Sequence, residues 1–187
     1  MPFSPTDFHD LLDPDLWVIE QMLTLPSDPE PTITAKGGTV HVELTSTVGM
    51  SQFRDAVTNY RLHLLPVIVV ISQKVYAELF RLVLDQCGKS AGNRQVDIEH
   101  ALASLVAARR VTKHLPFPDA ATFQDWWSGK YDFTKLRLAR NELVHGSYSF
   151  KNGRLTVKDK SGSPVLDWTE AEILTFASEV LSLSKKV

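Results

Sequence analysis

The spacing of apolar residues changes along the chain, and these changes separate predicted helices from predicted strands. A first helix is predicted over residues 5–23, with an interruption at Asp13-Pro14 left open. Residues 26–31 contain three prolines, each of which disfavours helix at the residue before it, so this segment is predicted to be an extended linker. Over residues 39–45 apolar and polar side chains alternate, which predicts a half-buried strand.

The longest helical pattern covers residues 51–86, and Ser51 can cap its start. Pro66 lies inside this segment, so the helix is predicted to be either kinked or divided, with Pro66 opening the second part. Residues 67–71 are all β-branched and have strand-like chemistry. The helical spacing of apolar residues continues as far as Leu84, however, and this favours a helix throughout.

Three further helices are predicted before residue 146. The first runs over residues 97–114, with Asp97 as its N-cap. The second is a short helix capped by Asp119, and the third runs over residues 132–145. Each of these helical patterns is followed by a proline or a glycine, which ends the helix. We expect the apolar faces of the helices to pack together as a bundle.

After Gly146 the pattern changes to the alternation of β-strands. Asn152-Gly153 is typical of a two-residue type I′ hairpin, and a second turn at residues 160–163 indicates a third strand. Thr169 followed by Glu172 forms a capping box, which predicts a last helix ending near residue 184. The predicted fold is therefore mainly α, a helical bundle with a small antiparallel β-hairpin or sheet near the C-terminus.

Length and composition fit one globular domain. The chain has 187 residues, of which 43% are hydrophobic and 22% are charged, and these are ordinary values for such a domain. We therefore expect a single domain over residues 1–187, with a β insertion at about residues 147–168. The net charge of −2 gives no broad basic field, so any contact with RNA is expected to be local.

The sequence also favours a cytoplasmic protein. Its one cysteine, Cys87, excludes an internal disulfide and fits a reducing compartment. The N-terminal residues have no basic segment of the kind that begins a signal peptide. The strongest apolar run, residues 62–71, is about half of the length that a membrane span needs. We expect no membrane partner.

The candidate chemistry lies between Arg140 and His145, near the end of the helix predicted for residues 132–145. Arg140 lies close to the apolar stripe of that helix, where a guanidinium needs an anionic partner or ligand. Asn141 and His145 are four residues apart and share another face, so Asn141 is predicted to hydrogen-bond the imidazole. His145 comes just before Gly146, the predicted left-handed C-cap, where the helix dipole favours the imidazolium.

Arginine and histidine together can cleave an RNA backbone without a metal or another cofactor. The histidine transfers a proton during attack by the 2′-OH, and the arginine stabilises charge on the phosphoryl oxygens. Positions five apart on a helix differ by about 140° in azimuth, so Arg140 and His145 of one chain do not converge on one phosphate. A two-fold homodimer that pairs these helix ends would bring them together. The alternative is a purely structural role, since basic residues are common in last helical turns.

The stretch from Arg140 to His145 resembles the Arg-x4–6-His motif of the HEPN superfamily, whose members often carry asparagine directly after the arginine, as Asn141 does here. The resemblance implies a HEPN-like helical bundle and a metal-independent endoribonuclease with a dimeric composite site. Arg140 and His145 would be catalytic and Asn141 would assist. It also implies RNA as the substrate, and a role as a toxin or anti-phage effector with an antitoxin or defence-system partner.

Two other functions remain open. The chain could be a noncatalytic HEPN-like module that binds RNA, a nucleotide or a protein, or a helical interaction protein without any nucleic-acid role. Four basic side chains in residues 109–114 are either an RNA-backbone patch or, preferably, a solvated helix end. The tryptophan pair at residues 126–127 is preferably a core anchor rather than a base-stacking platform. Residues 158–160 are interpreted as a solvated turn.

Overall fold

The computed structural model describes residues 5–24, 32–36, 39–43, 50–92 and 94–187, with side chains described for most of the first helix and from residue 63 onward. The predicted mainly α fold with a small antiparallel sheet near the C-terminus is confirmed. The elements, in chain order, are α1 (Pro5–Thr24), β1 (Thr32–Lys36), β2 (Thr39–Glu43), α2 (Met50–Gln86), α3 (Gln95–Ala107), α4 (Ala120–Ser128), α5 (Phe133–Val144), β3 (Tyr148–Lys151), β4 (Arg154–Lys158), β5 (Pro164–Thr169) and α6 (Glu170–Ser184).

The central element is α2, against which α1, α3, α5 and α6 all pack. It is one helix of 37 residues, so of the two alternatives predicted at Pro66, a kink or a division, the division is wrong, and Ser51 lies inside the helix rather than capping it. Pro66 is buried, and of the β-branched residues that follow it, those at positions 68–71 pack in or against the core, whereas Val67 is exposed. Tertiary packing on several faces therefore outweighs the local preference of residues 67–71 for strand. In the same way, α1 continues through Pro14.

The ends of α3 differ from the prediction. The helix begins at Gln95, so Asp97 lies in its first turn instead of capping it. It ends at Ala107, and Arg109 follows with a left-handed φ of 52°. Because a left-handed residue ends an α-helix, the basic residues of 109–114 lie beyond the helix and not in its last turns.

The strands comprise two separate antiparallel sheets. The predicted strand at residues 39–45 is β2, which pairs with β1; residues 44 and 45 and the predicted linker at residues 26–31 lie outside the described residues. The C-terminal sheet has the order β3-β4-β5. Its first hairpin turns at Asn152 and Gly153, whose φ values of 51° and 72° are those of the predicted type I′ turn. The capping box of Thr169 and Glu172 begins α6 as predicted.

An aromatic cluster fixes the later helices to α2. Tyr76 and Phe80 of α2 are fully buried and contact rings from α4, α5 and α6. The Tyr76 hydroxyl donates to the backbone carbonyl of Trp126 and, at 2.8 Å, to that of Tyr131. Burial raises the pKa of Tyr76 well above its usual value, so the hydroxyl remains a neutral donor. Trp126 is buried in this cluster, so it serves as a core anchor rather than as a free surface for stacking bases.

Replacing Tyr76 by phenylalanine keeps the ring but removes the donor for two carbonyl groups. We expect Tyr76→Phe to lower the free energy of unfolding by about 1–3 kcal/mol, because buried acceptors lose their partner. Urea unfolding measures the change. Tyr148→Phe is the matched control, since Tyr148 is 39% exposed, and it should stay within about 0.5 kcal/mol of wild type. Equal stabilities of all three proteins would contradict this role.

Candidate functional site

Helix α5 carries all three predicted site residues, and local chemistry defines both of its ends. Asp132 caps the start, where its carboxylate accepts from the Lys135 backbone N–H at 3.0 Å. Phe133, Leu136, Ala139 and Leu143 form the buried stripe. His145 is the C-cap residue, one position beyond the last helical residue, and Gly146 adopts the predicted left-handed conformation with a φ of 73°.

Arg140 is half-buried, and its surroundings leave part of its hydrogen-bonding capacity unused. Its Nε is buried and has no partner among the described residues. Its Nη1 donates to Oδ1 of Asn141 at 3.3 Å. The predicted bond from Asn141 to the His145 imidazole is therefore not observed; Asn141 orients Arg140 instead, because the neighbouring guanidinium is within reach of its carbonyl oxygen and the capping imidazole has left the helical path.

Arg140 lies on the wall of a polar cleft of about 470 Å³ between α2, α3 and α5, which we call the arginine cleft. Its lining residues are Lys74, Glu78, Arg94, Gln95, Val96, Arg137, Arg140 and Asn141. Three of its cations have carboxylate partners: Lys74 pairs with Asp15, Arg94 with Asp97 and Arg137 with Glu99. Within the described part of the chain, Arg140 has no ion-pair partner, so it is the uncompensated cation of this cleft.

His145 lies on a different cleft of about 730 Å³, the histidine cleft, between the end of α5 and the turn that joins β4 to β5. Its lining residues are Leu138, Asn141, Glu142, His145, Asp159, Lys160 and Ser161. The imidazole is exposed and makes no hydrogen bond to any side chain or backbone group that the structure describes. It is thus free to contact a ligand.

The β4–β5 turn is held in one conformation by Asp159. The Oδ1 atom of Asp159 accepts from the backbone N–H groups of Ser161 and Ser163, at 2.8 and 2.9 Å, and from the Ser161 hydroxyl at 2.6 Å. These bonds, the one from the Ser161 hydroxyl first, lower the pKa of the Asp159 carboxyl. The turn therefore presents Lys160 and Ser161 to the histidine cleft on a preorganised backbone.

The three predicted site residues fall on two sides of α5. Arg140 lines the arginine cleft, His145 lines the histidine cleft, and Asn141 lines both. Sequence analysis did not predict the contribution of the β4–β5 turn, because residues 158–160 read as an ordinary solvated loop. The turn is more than ten residues from His145 in the chain, and no local pattern indicates that the sheet folds back onto the helix end.

Within the described ranges, no group of three or more His, Cys, Asp or Glu side chains is arranged to hold a metal ion. None of the helices in those ranges combines the length and apolar character required to cross a membrane. Comparison of the chain with protein-family models, with curated proteins and with solved structures finds no match. The resemblance to the HEPN superfamily therefore stays a prediction from the motif.

Gly146 connects His145 to the sheet, and its conformation is one that other residues rarely adopt. A Cβ at Gly146 would meet no atom within 4 Å, so Gly146→Ala adds backbone strain alone. We expect it to lower the free energy of unfolding by about 1–2 kcal/mol. Gly88→Ala is the matched control, since Gly88 has a φ of 70° and similarly open space. Both variants should lose similar stability in urea unfolding, but only Gly146→Ala should shift the imidazole NMR signals of His145. An unchanged His145 spectrum would contradict this coupling.

Proposed function

We propose that this protein is a metal-independent endoribonuclease of HEPN type, which acts as a homodimer and uses Arg140 and His145 from different subunits. The observation that carries the proposal is the half-buried guanidinium of Arg140, whose Nε has no partner among the described residues. A buried charge without a counter-ion is costly, and a phosphodiester would supply both one negative charge and the acceptor oxygens that a guanidinium fits.

A dimer accounts for the separation of the two residues. The arginine cleft carries Arg140, a cation unpaired among the described residues, and one carboxylate, that of Glu78, which pairs with Arg81, whereas the histidine cleft contains the carboxylates of Glu142 and Asp159 beside the single cation Lys160. The two clefts therefore have complementary charge. In a two-fold dimer the arginine cleft of each subunit can face the histidine cleft of its partner. Val144 and Tyr148, which flank His145, are 57% and 39% exposed and could form the apolar part of the contact.

The proposed reaction is an internal transesterification of RNA. The 2′-oxygen attacks the adjacent phosphorus while His145 transfers a proton, and Arg140 of the partner subunit neutralises charge that develops on the nonbridging oxygens. The products are a 2′,3′-cyclic phosphate and a 5′-hydroxyl end. By the same resemblance we propose a role as a toxin or anti-phage effector, in which an antitoxin or defence-system protein controls the site.

One observation favours a second candidate function. Within one chain, Arg140 and His145 do not share a cleft, and Asn141 does not hold the imidazole. A noncatalytic module that binds RNA or a nucleotide phosphate at Arg140 alone would need neither feature. Binding without cleavage, lost on Arg140→Ala and unaffected by His145→Ala, would support this second function.

The ribonuclease proposal predicts that both residues are required for cleavage in the presence of EDTA. Arg140→Ala and His145→Ala should each lower the cleavage rate by about 10²–10⁴-fold, since each removes charge stabilisation or proton transfer. Lys151→Ala and His100→Ala are controls, because both side chains are exposed and lie outside the two clefts, and they should cleave at the wild-type rate. Wild-type activity in either Arg140→Ala or His145→Ala would sink the assignment.

Mixed dimers test whether the two residues act across the interface. Differently tagged Arg140→Ala and His145→Ala subunits are co-expressed, and the dimer that carries both tags is purified. If the site is composite, one of the two sites stays intact, so we expect about half of the wild-type rate. If Arg140 and His145 of the same chain form the site, the mixed dimer has no intact site and should be as inactive as either parent.

A further inference from the structure

The cleavage reaction moves two protons, and the proposed function assigns a group to only one transfer. The 2′-OH must lose its proton as it attacks, and the departing 5′-oxygen must gain one. Because the acceptor must begin deprotonated and the donor must begin protonated, two groups of different acidity suit the reaction better than one. A second proton-transfer group is therefore expected in the histidine cleft.

Glu142 is the candidate for this second group, because it lies on the same cleft as His145. It lies three residues before His145, in the last turn of α5, and both residues line the histidine cleft. The side chain is half-buried. Its carboxylate makes no hydrogen bond and no ion pair with any residue that the structure describes, so both of its oxygens can accept a proton or a hydroxyl donor.

The other carboxylate of the cleft is not suited to this role. Asp159 uses its Oδ1 atom to hold the β4–β5 turn through three hydrogen bonds, and these lower its pKa. A group stabilised in its charged form is a weaker base, and protonating it would also loosen the turn. Lys160, on the same turn, makes no ion pair among the described residues and offers a positive charge near the phosphate. Glu142 is therefore the carboxylate of this cleft that is available to accept a proton.

We infer that Glu142 is the general base and His145 the general acid of one RNA-cleaving site, an inference that rests on the proposed function. The carboxylate of Glu142 takes the proton of the 2′-OH, and the 2′-oxygen forms its bond to phosphorus. The bond between phosphorus and the 5′-oxygen breaks, and the imidazolium of His145 gives its proton to that oxygen. Solvent then returns a proton to His145 and removes one from Glu142.

The test uses the 187-residue protein and two forms of a short RNA that differ at the mapped cleavage position. One has the natural 5′-oxygen, and the other has a bridging 5′-sulfur, which leaves as a thiolate and needs no general acid. Glu142→Gln is isosteric and removes only the base. Glu20→Gln is the matched control, because Glu20 pairs with Lys185 at 2.7 Å on the surface of α1, away from both clefts.

On the oxygen substrate we expect Glu142→Gln and His145→Ala each to lose about 10²–10⁴-fold in rate, and Glu20→Gln to retain the wild-type rate. On the sulfur substrate His145→Ala should recover to within about tenfold of wild type, whereas Glu142→Gln should keep its full deficit. Glu142→Asp, which keeps a carboxylate on a shorter stem, should retain more activity than Glu142→Gln. Urea unfolding checks that each variant is folded.

The contrary outcomes are distinct. Wild-type cleavage together with an unimpaired Glu142→Gln overturns this inference alone and leaves the proposed function standing. Rescue of Glu142→Gln by sulfur, or rescue of neither variant, overturns the assignment of base and acid. If the wild-type protein cleaves no RNA, the proposed function fails and the inference fails with it.

Discussion

The contact between Tyr76 and the backbone at the end of α4 and just before α5 is the constraint on which the position of the site depends. Tyr76 of α2 is fully buried, and its hydroxyl donates to the carbonyls of Trp126 and Tyr131. These carbonyls lie on either side of the turn that leads from α4 into α5. Fixing this turn sets where α5 starts, and the buried stripe of α5 then sets its rotation. Arg140 reaches its cleft only because α5 is held in that rotation.

The C-terminal end of α5 is positioned by the backbone conformation of Gly146 and by the C-terminal sheet. The left-handed Gly146 turns the chain from helix into β3, and pairing of β3, β4 and β5 brings the β4–β5 turn back to the helix end. Asp159 then fixes that turn from within. His145 therefore lies at a junction between helix and sheet, where a side chain can remain exposed while its backbone is well supported.

Features governed by neighbouring residues could be predicted from the sequence, and features governed by packing could not. The type I′ turn at Asn152, the capping box at Thr169 and the left-handed Gly146 all follow from local backbone chemistry, and all three are observed. The division at Pro66 is not observed, because burial on several sides of α2 holds one continuous helix. The hydrogen-bond partner predicted for Asn141 was wrong. Periodicity shows which face of the helix Asn141 is on, but it does not show that Arg140, the preceding residue, offers a competing donor.

The contribution of the β4–β5 turn to the histidine cleft also lay beyond sequence analysis, since it depends on how a sheet folds against a helix end. This turn changes what α5 can do chemically. An α-helix with its side chains is about 10 Å thick, so groups on its two sides cannot reach one phosphate. In the proposed ribonuclease each cleft would have only part of the site, since Arg140 lines one cleft and Glu142 and His145 line the other. In the proposed enzyme, assembly and catalysis are consequently one equilibrium, and a partner that covers either cleft would inhibit cleavage by preventing the dimer from forming.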